Sequence, residues 1–182
     1  MKTVLVPLAP GFEEIETITV VDILRRAGAR VTLAGTEEGP LEGSRGIHVL
    51  PDEQLDDVLE KDFDLIILPG GQPGTNNLKK DARITRLLKK MDGLNKYIAA
   101  ICAAPVVLKN AGILQNRCVT SHPSIQKDLQ GINYKEDRVV VDGNIVTSKS
   151  PGTAMEFSLK LVEILFGRER RDVVNQGVLA KL

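Results

Sequence analysis

The feature that most constrains this chain is a repeated hand-over from a short apolar run, through a break of small residues, into a helical pattern. Thr3–Leu8 is apolar and stops at Ala9-Pro10-Gly11. Helical spacing then runs from Glu13 to Ala27 and ends at Gly28. Val31–Ala34 is a second apolar run, and a polar, Gly-rich loop over Gly35–Gly46 follows it. Ile47–Leu50 reads as a short strand. Asp64–Leu68 is another strand, ending sharply at Pro69-Gly70-Gly71, and one helical pattern covers Asn76–Met91. Tyr97–Ile101 hands over to a short helix at Ala103–Asn110, closed by Gly112. After a strand at Cys118–Ser121, Arg138–Val141 and Ile145–Ser148 flank Asp142-Gly143-Asn144, a hairpin signal. A last helix starts at Pro151 and runs to Leu165.

Short apolar strands alternating with helices pair in parallel and are covered on both faces. The expected fold is α/β, a mostly parallel sheet between two helical layers, with a C-terminal β-hairpin element. The 182 residues make one domain spanning residues 1–182, with no internal repeat. Ligands of such sheets sit outside the carboxyl ends of the strands. Four places qualify: Ala9-Pro10-Gly11, Pro69-Gly70-Gly71, and the residues after Ile101 and after Ser121.

Composition removes several classes of partner. Lys and Arg total 24 and Asp and Glu total 24, so the chain has no electrostatic footprint for nucleic acid or an anionic membrane. The longest apolar run, Ile98–Leu108, is broken by Pro105 and falls short of the roughly 18 residues of a spanning helix. The N-terminus enters a strand without a signal-peptide pattern, and the two cysteines read as free thiols in a reducing cytoplasm. No Cys-x-x-Cys or His-x-x-x-His spacing is present, so no structural metal is expected.

Cys102 sits where a strand gives way to a helix, among Ala99, Ala100, Ala103 and Ala104. A sharp strand-to-helix turn that exposes a nucleophile needs such small neighbours. The free N–H groups of the helix start are expected to lower the thiol pKa. A buried cysteine acting as a small hydrophobe is the competing reading.

Among the acids after the first strand, helical geometry puts Glu16 at the centre of the face made by Val20, Ile23, Leu24 and Ala27. Glu13 falls at the edge of that face, and Glu14 points nearly opposite, toward Asp22 and Arg25. Glu16 is expected to be desolvated and its pKa raised, which suits a proton shuttle to a strand-end thiol. The backbone N–H groups of Gly71 and Ala103 are candidate anion donors, with Gly70 beside them. His122, held extended before Pro123, lies at the same sheet edge; His48 is a weaker candidate.

These segments together resemble the ThiJ/PfpI superfamily, in its parkinsonism-associated deglycase (DJ-one) and bacterial YajL-type branch. The resemblance is carried by Ala9-Pro10-Gly11-Phe12-Glu13-Glu14-Ile15-Glu16-Thr17, Val21–Gly28, Leu68-Pro69-Gly70-Gly71, Ala99-Ala100-Ile101-Cys102-Ala103-Ala104-Pro105 and Thr147–Ala154, in order along nearly the whole chain. It implies a flavodoxin-like three-layer sandwich that forms a homodimer. It implies that Cys102 is the nucleophile, Glu16 its protonated partner, and His122 a site residue. Gly71 and Ala103 would be the oxyanion donors, and Arg45, with Glu13 and Arg26, would lie near the contact between copies. Ala103 stands where protease and large chaperone branches carry a His, which argues against a Cys-His protease.

The expected activity is that of a cysteine-dependent glyoxalase or protein deglycase. It would act on methylglyoxal, glyoxal or their protein adducts, without metal or organic cofactor. Two alternatives stand beside it. In one, Cys102 is a redox sensor, oxidised to a sulfinate, in a stress-responsive chaperone or partner-binding protein. In the other, the domain is a structural relic of an enzyme.

Overall fold

The computed structural model describes residues 1–180. The strands of its main sheet are β1 (Thr3–Leu8) and β2 (Arg30–Gly35), with β5 (Glu53–Gln54), β6 (Leu65–Leu68), β7 (Tyr97–Ile101), β10 (Val139–Asp142) and β11 (Ile145–Ser148). Two small sheets stand apart, β3 (Leu41–Glu42) with β4 (His48–Val49), and β8 (Cys118–Val119) with β9 (Asn133–Tyr134). The helices are α1 (Glu14–Arg26), α2 (Gly74–Lys80), α3 (Ala82–Gly93), α4 (Pro105–Asn110), α5 (Ala154–Phe166) and α6 (Arg168–Val178).

The main sheet runs β10-β11-β7-β6-β1-β2-β5. All its pairings are parallel except β10–β11, the expected hairpin. The chain starts at β1, moves outward to β2 and β5, then returns to the other side of β1 at β6. That reversal makes the carboxyl ends of β1 and β6 a topological switch point, where an open sheet leaves a crevice.

Strand alternation builds two cores, one on each face. Val4, Val6 and Leu8 of β1, with Leu65 and Ile67 of β6, point to the layer of α1, α5 and α6. Leu5, Ile66 and Leu68 point to the layer of α2, α3 and α4. The strands are buried on both sides, so they read as continuous apolar runs rather than as alternating ones.

Several expectations need correction. The single helix over Asn76–Met91 is two helices. Asp81 is extended (φ −78°, ψ 112°), and its carboxylate caps α3 by accepting the Arg83 N–H at 2.9 Å. A side chain that offers this bond competes with continued helix. The expected strand at Ile47–Leu50 shrinks to His48–Val49 and pairs outside the main sheet with Leu41–Glu42, inside the segment read as loop. The strand at Cys118–Ser121 shortens to two residues, also outside the main sheet. The short edge strand Glu53–Gln54 and the helix α6 have no counterpart in the pattern. The edge strand is two polar residues, and α6 follows a turn at Gly167 (φ +90°) and buries little beyond Val174.

Candidate active site

Three strand ends meet at the crevice. From β7 the chain turns at Cys102, whose φ of +63° lies in the left-handed region that L-residues rarely occupy. The surrounding backbone fixes this turn, because the Cys102 N–H donates to the Ser148 carbonyl (2.9 Å) and its own carbonyl accepts the His122 N–H (2.9 Å). A strained, over-determined residue at a strand end is what holding a side chain forward into a site requires. Ala99, Ala100, Ala103 and Ala104 are buried around it, as the sequence pattern requires.

From β1 the chain enters α1 through Glu13, whose carboxylate caps the helix by accepting the Glu16 N–H at 2.7 Å. This sets the helix phase that sends Glu16 inward, where it is fully buried. One carboxyl oxygen of Glu16, Oε2, accepts the Gly70 N–H at 2.8 Å. The other, Oε1, is buried and accepts no hydrogen bond, and the polar side chain coupled to this carboxyl is the Cys102 thiol. A buried acid oxygen without a donor suits the protonated acid, which is itself a donor.

From β6 the chain turns at Gly70 and Gly71. Gly71 has φ +91°, and a Cβ there would lie 2.4 Å from the Glu13 nitrogen, so the position admits only glycine. Its N–H and that of Ala103 both bear on the Cys102 sulfur. Gly70 does not join them. Its N–H is taken by Glu16 and its carbonyl accepts the Glu13 N–H at 2.9 Å, so its expected place among the anion donors becomes one of holding Glu16.

The electrostatics follow from burial. Desolvation pushes the Glu16 pKa up to about 7, with the Glu13 charge adding to it and the Gly70 N–H opposing it. Cys102 is pushed up to about 12, first by burial and then by the Glu16 carboxylate, against the Ala103 and Gly71 N–H groups. This overturns the expectation of a thiol acidified by a helix start. The helix α4 begins only at Pro105, and the thiol sits beside an acid instead. A proton on Glu16 removes the upward push of that acid and leaves burial opposed by the two N–H donors, so the thiolate is less costly to form when Glu16 holds the proton.

The thiol opens into a cavity of about 330 Å³. Arg45, Glu13 and His122 from the expected set line it. The His122 ring is turned to Ser124, with Nδ1 2.8 Å from the Ser124 hydroxyl, and no side-chain hydrogen bond joins it to Cys102 among the described residues. Arg26 is not brought to the cavity; it pairs with Asp22 on the exposed face of α1 at 2.7 Å. His48 lies on an exposed hairpin strand.

Glu14 is another correction. It is buried, not solvated, and accepts from the Arg45 N–H (2.6 Å), the Ile47 N–H (3.5 Å) and the Ser44 hydroxyl (3.2 Å). The 43–47 loop folds over it and so brings Arg45 to the cavity rim. Helical phase alone could not show that a loop distant in sequence covers this side. Sequence reasoning also missed Ser44, Gln72, Ser124, Ile125 and Pro151 in the cavity wall. Only Ser124 carried a signal, as the residue whose N–H a His before Pro can cap.

A doubly wound α/β fold with a strained cysteine at one strand end and a buried acid on the helix that follows another defines a class of cysteine-centred α/β proteins. Residues 2–164 match the DJ-1/PfpI family, and the chain belongs to that family. It is 44% identical over 181 residues to protein dj-1beta of Drosophila melanogaster, covering 98% of this chain and 97% of that one. The crystal structure of Drosophila melanogaster DJ-1beta superposes with a TM-score of 0.97 at 42% identity, over 100% of this chain and 99% of that one. The chain is also 42% identical over 172 residues to the glutathione-independent glyoxalase DJR-1.2 of Caenorhabditis elegans, covering 93% of this chain and 91% of that one. The fold and the family thus agree with the expectation drawn from the motifs, and a glyoxalase stands among the relatives. No described helix is long and apolar enough to cross a membrane.

Proposed function

We propose that this chain is a cofactor-independent glyoxalase whose nucleophile is Cys102 and whose proton shuttle is Glu16. The observation that carries this reading is the convergence on one sulfur of two backbone N–H donors, from Gly71 and Ala103, and one buried acid. Donors fixed before reaction stabilise developing negative charge without reorganisation.

The Cys102 thiolate adds to the aldehyde carbon of methylglyoxal, forming a C–S bond, and the carbonyl electron pair becomes an oxyanion held by the two N–H groups. Protonation of that oxygen gives a hemithioacetal. Glu16 as carboxylate takes the proton from the former aldehyde carbon and returns one to the neighbouring keto carbon, while the hydroxyl proton passes to the former keto oxygen, leaving a thioester beside an alcohol. Water cleaves the thioester, releasing lactate and the thiol. The aldehyde carbon is oxidised, the keto carbon is reduced, and one water is consumed, so no external oxidant is required. A pKa near 7 lets Glu16 both give and accept a proton. At a glycated side chain the Cys102 sulfur replaces the side-chain nitrogen or sulfur on the adduct carbon. That group leaves with a proton as the restored amine, guanidine or thiol, and the same hemithioacetal results; this is deglycase chemistry.

The exposure of Ile15 and Ile18 on one face of α1, and of Ile47 on the 43–47 loop that covers Glu14, supports packing of a second copy there. The mass in solution tests that.

Lactate formed from methylglyoxal without glutathione tests the activity. Wild type is expected to produce it, and Cys102→Ala and Glu16→Gln to lose it by about 100-fold or more. A wild type that forms no lactate, or variants that keep its rate, would overturn the reading.

A further inference from the structure

We infer that the cavity at Cys102 continues into a second, polar groove that holds a singly charged anionic tail, so that the preferred substrate is an α-oxoaldehyde bearing a terminal carboxylate. The inference rests on the glyoxalase reading above and names its substrate class.

The first observation is size. At about 330 Å³ the cavity reaches the range of sites for ligands far larger than a three-carbon dicarbonyl. The second is continuity. Gln72 and Ile125 line this cavity and also a neighbouring groove of about 370 Å³, between α2, α4 and the turn at Pro123–Leu129. A chain leaving Cys102 past these two side chains enters that groove.

The third observation is charge. Lys79 reaches the groove from α2 and forms no ion pair among the described residues. Lys109 reaches it from α4, its Nζ donating to the carbonyl oxygens of Asp128 (2.7 Å) and Gln130 (2.9 Å). Carbonyl groups fix an ammonium in place without cancelling its charge. Asp128 lines the same groove, and its negative charge offsets one of the two cations. The excess is a single positive charge, which matches a carboxylate and not a dianionic phosphate. The remaining polar wall is Gln72, Asn76 and Asn110, whose amides supply neutral N–H donors to a carboxylate.

The test is turnover of α-oxoaldehydes OHC–CO–(CH₂)n–COO⁻ with two to six methylenes, each beside a carboxamide-ended chain of the same length. The reaction adds water and turns the aldehyde into a carboxylate and the ketone into an alcohol. At the best length, wild type is expected to favour the carboxylate by about tenfold in kcat/KM, and Lys79→Glu is expected to abolish that preference. Equal kcat/KM for the two tails, or a preference unchanged in Lys79→Glu, overturns the inference and leaves the glyoxalase reading standing. A phosphate-ended chain that outperforms the carboxylate overturns the single-charge assignment. If wild type turns over methylglyoxal but none of the chains, the inference is overturned; if it turns over neither, the glyoxalase reading fails and the groove is judged by binding alone. Hexanoate is then titrated while the side-chain amide resonances of Gln72, Asn76 and Asn110 are followed. Saturable shifts lost in Lys79→Glu support the groove, and their absence in wild type overturns it.

Discussion

Replacing Glu16 by Gln should make the protein more stable at alkaline pH while it abolishes turnover. Burial lifts the Glu16 pKa from 4.5 to about 7. Between those values the unfolded chain releases this proton and the folded chain keeps it, so folding binds a proton and stability falls as pH rises. The protonated acid's contribution is fully present below pH 4.5 and is lost once the pH has passed 7. The shift corresponds to about 3 kcal/mol. Cys102 does not blur the count, because linkage follows the first proton lost from the coupled pair, whichever partner held it. Gln is neutral throughout, and its carbonyl oxygen can still accept the Gly70 N–H. Urea denaturation of both proteins at pH 4.5, 6 and 8 measures the effect, and the difference between them cancels the other titrating groups. Wild type should lose about 3 kcal/mol relative to the variant across this range. Parallel pH dependences, within about 0.5 kcal/mol, would refute a buried, proton-holding Glu16.

Gly70→Ala should cost about 1–3 kcal/mol of stability and at least about tenfold in turnover, because its Cβ would lie 2.6 Å from Glu16 Oε2 and 2.7 Å from the Cys102 Cβ. Gly152→Ala, whose Cβ would come no nearer than 3.8 Å to its closest neighbour, is the control in the same thermal-melt and lactate assays. Glu14→Ala should destabilise by about 2–4 kcal/mol at neutral pH and expose the 43–47 loop to proteolysis, since it removes the acceptor of the Arg45 and Ile47 N–H groups. Burial alone would raise the Glu14 pKa, but those hydrogen bonds outweigh it and hold the group below its ordinary 4.5. Its contribution is therefore present above pH 4.5 and lost as pH falls, the reverse of Glu16. Denaturation curves from pH 3 to pH 7 that keep the same gap between wild type and Glu14→Ala would refute this.

Local chemistry determined the parts of the molecule whose cause is itself local. The strand Tyr97–Ile101 and the hairpin around Gly143 lie where apolar run and turn signal put them. Cys102 among alanines marks a strand-end turn without any knowledge of the fold. Glu16 was legible because 3.6-residue periodicity puts it on an apolar face, and an acid on such a face must be buried. Tertiary structure decided whatever depends on residues far apart in sequence. It brought the Gly71 and Ala103 N–H groups onto one sulfur and turned His122 toward Ser124. It also reversed the expected fate of two groups. Glu14 is buried because the 43–47 loop folds over it, and the Cys102 thiol is raised rather than lowered because the closed sheet buries it and β1 and β7 bring an acid beside it. Periodicity reports which side of a helix turns inward, but desolvation and Coulomb energy depend on what lies within a few ångströms, and that is set only when the strands close into a sheet.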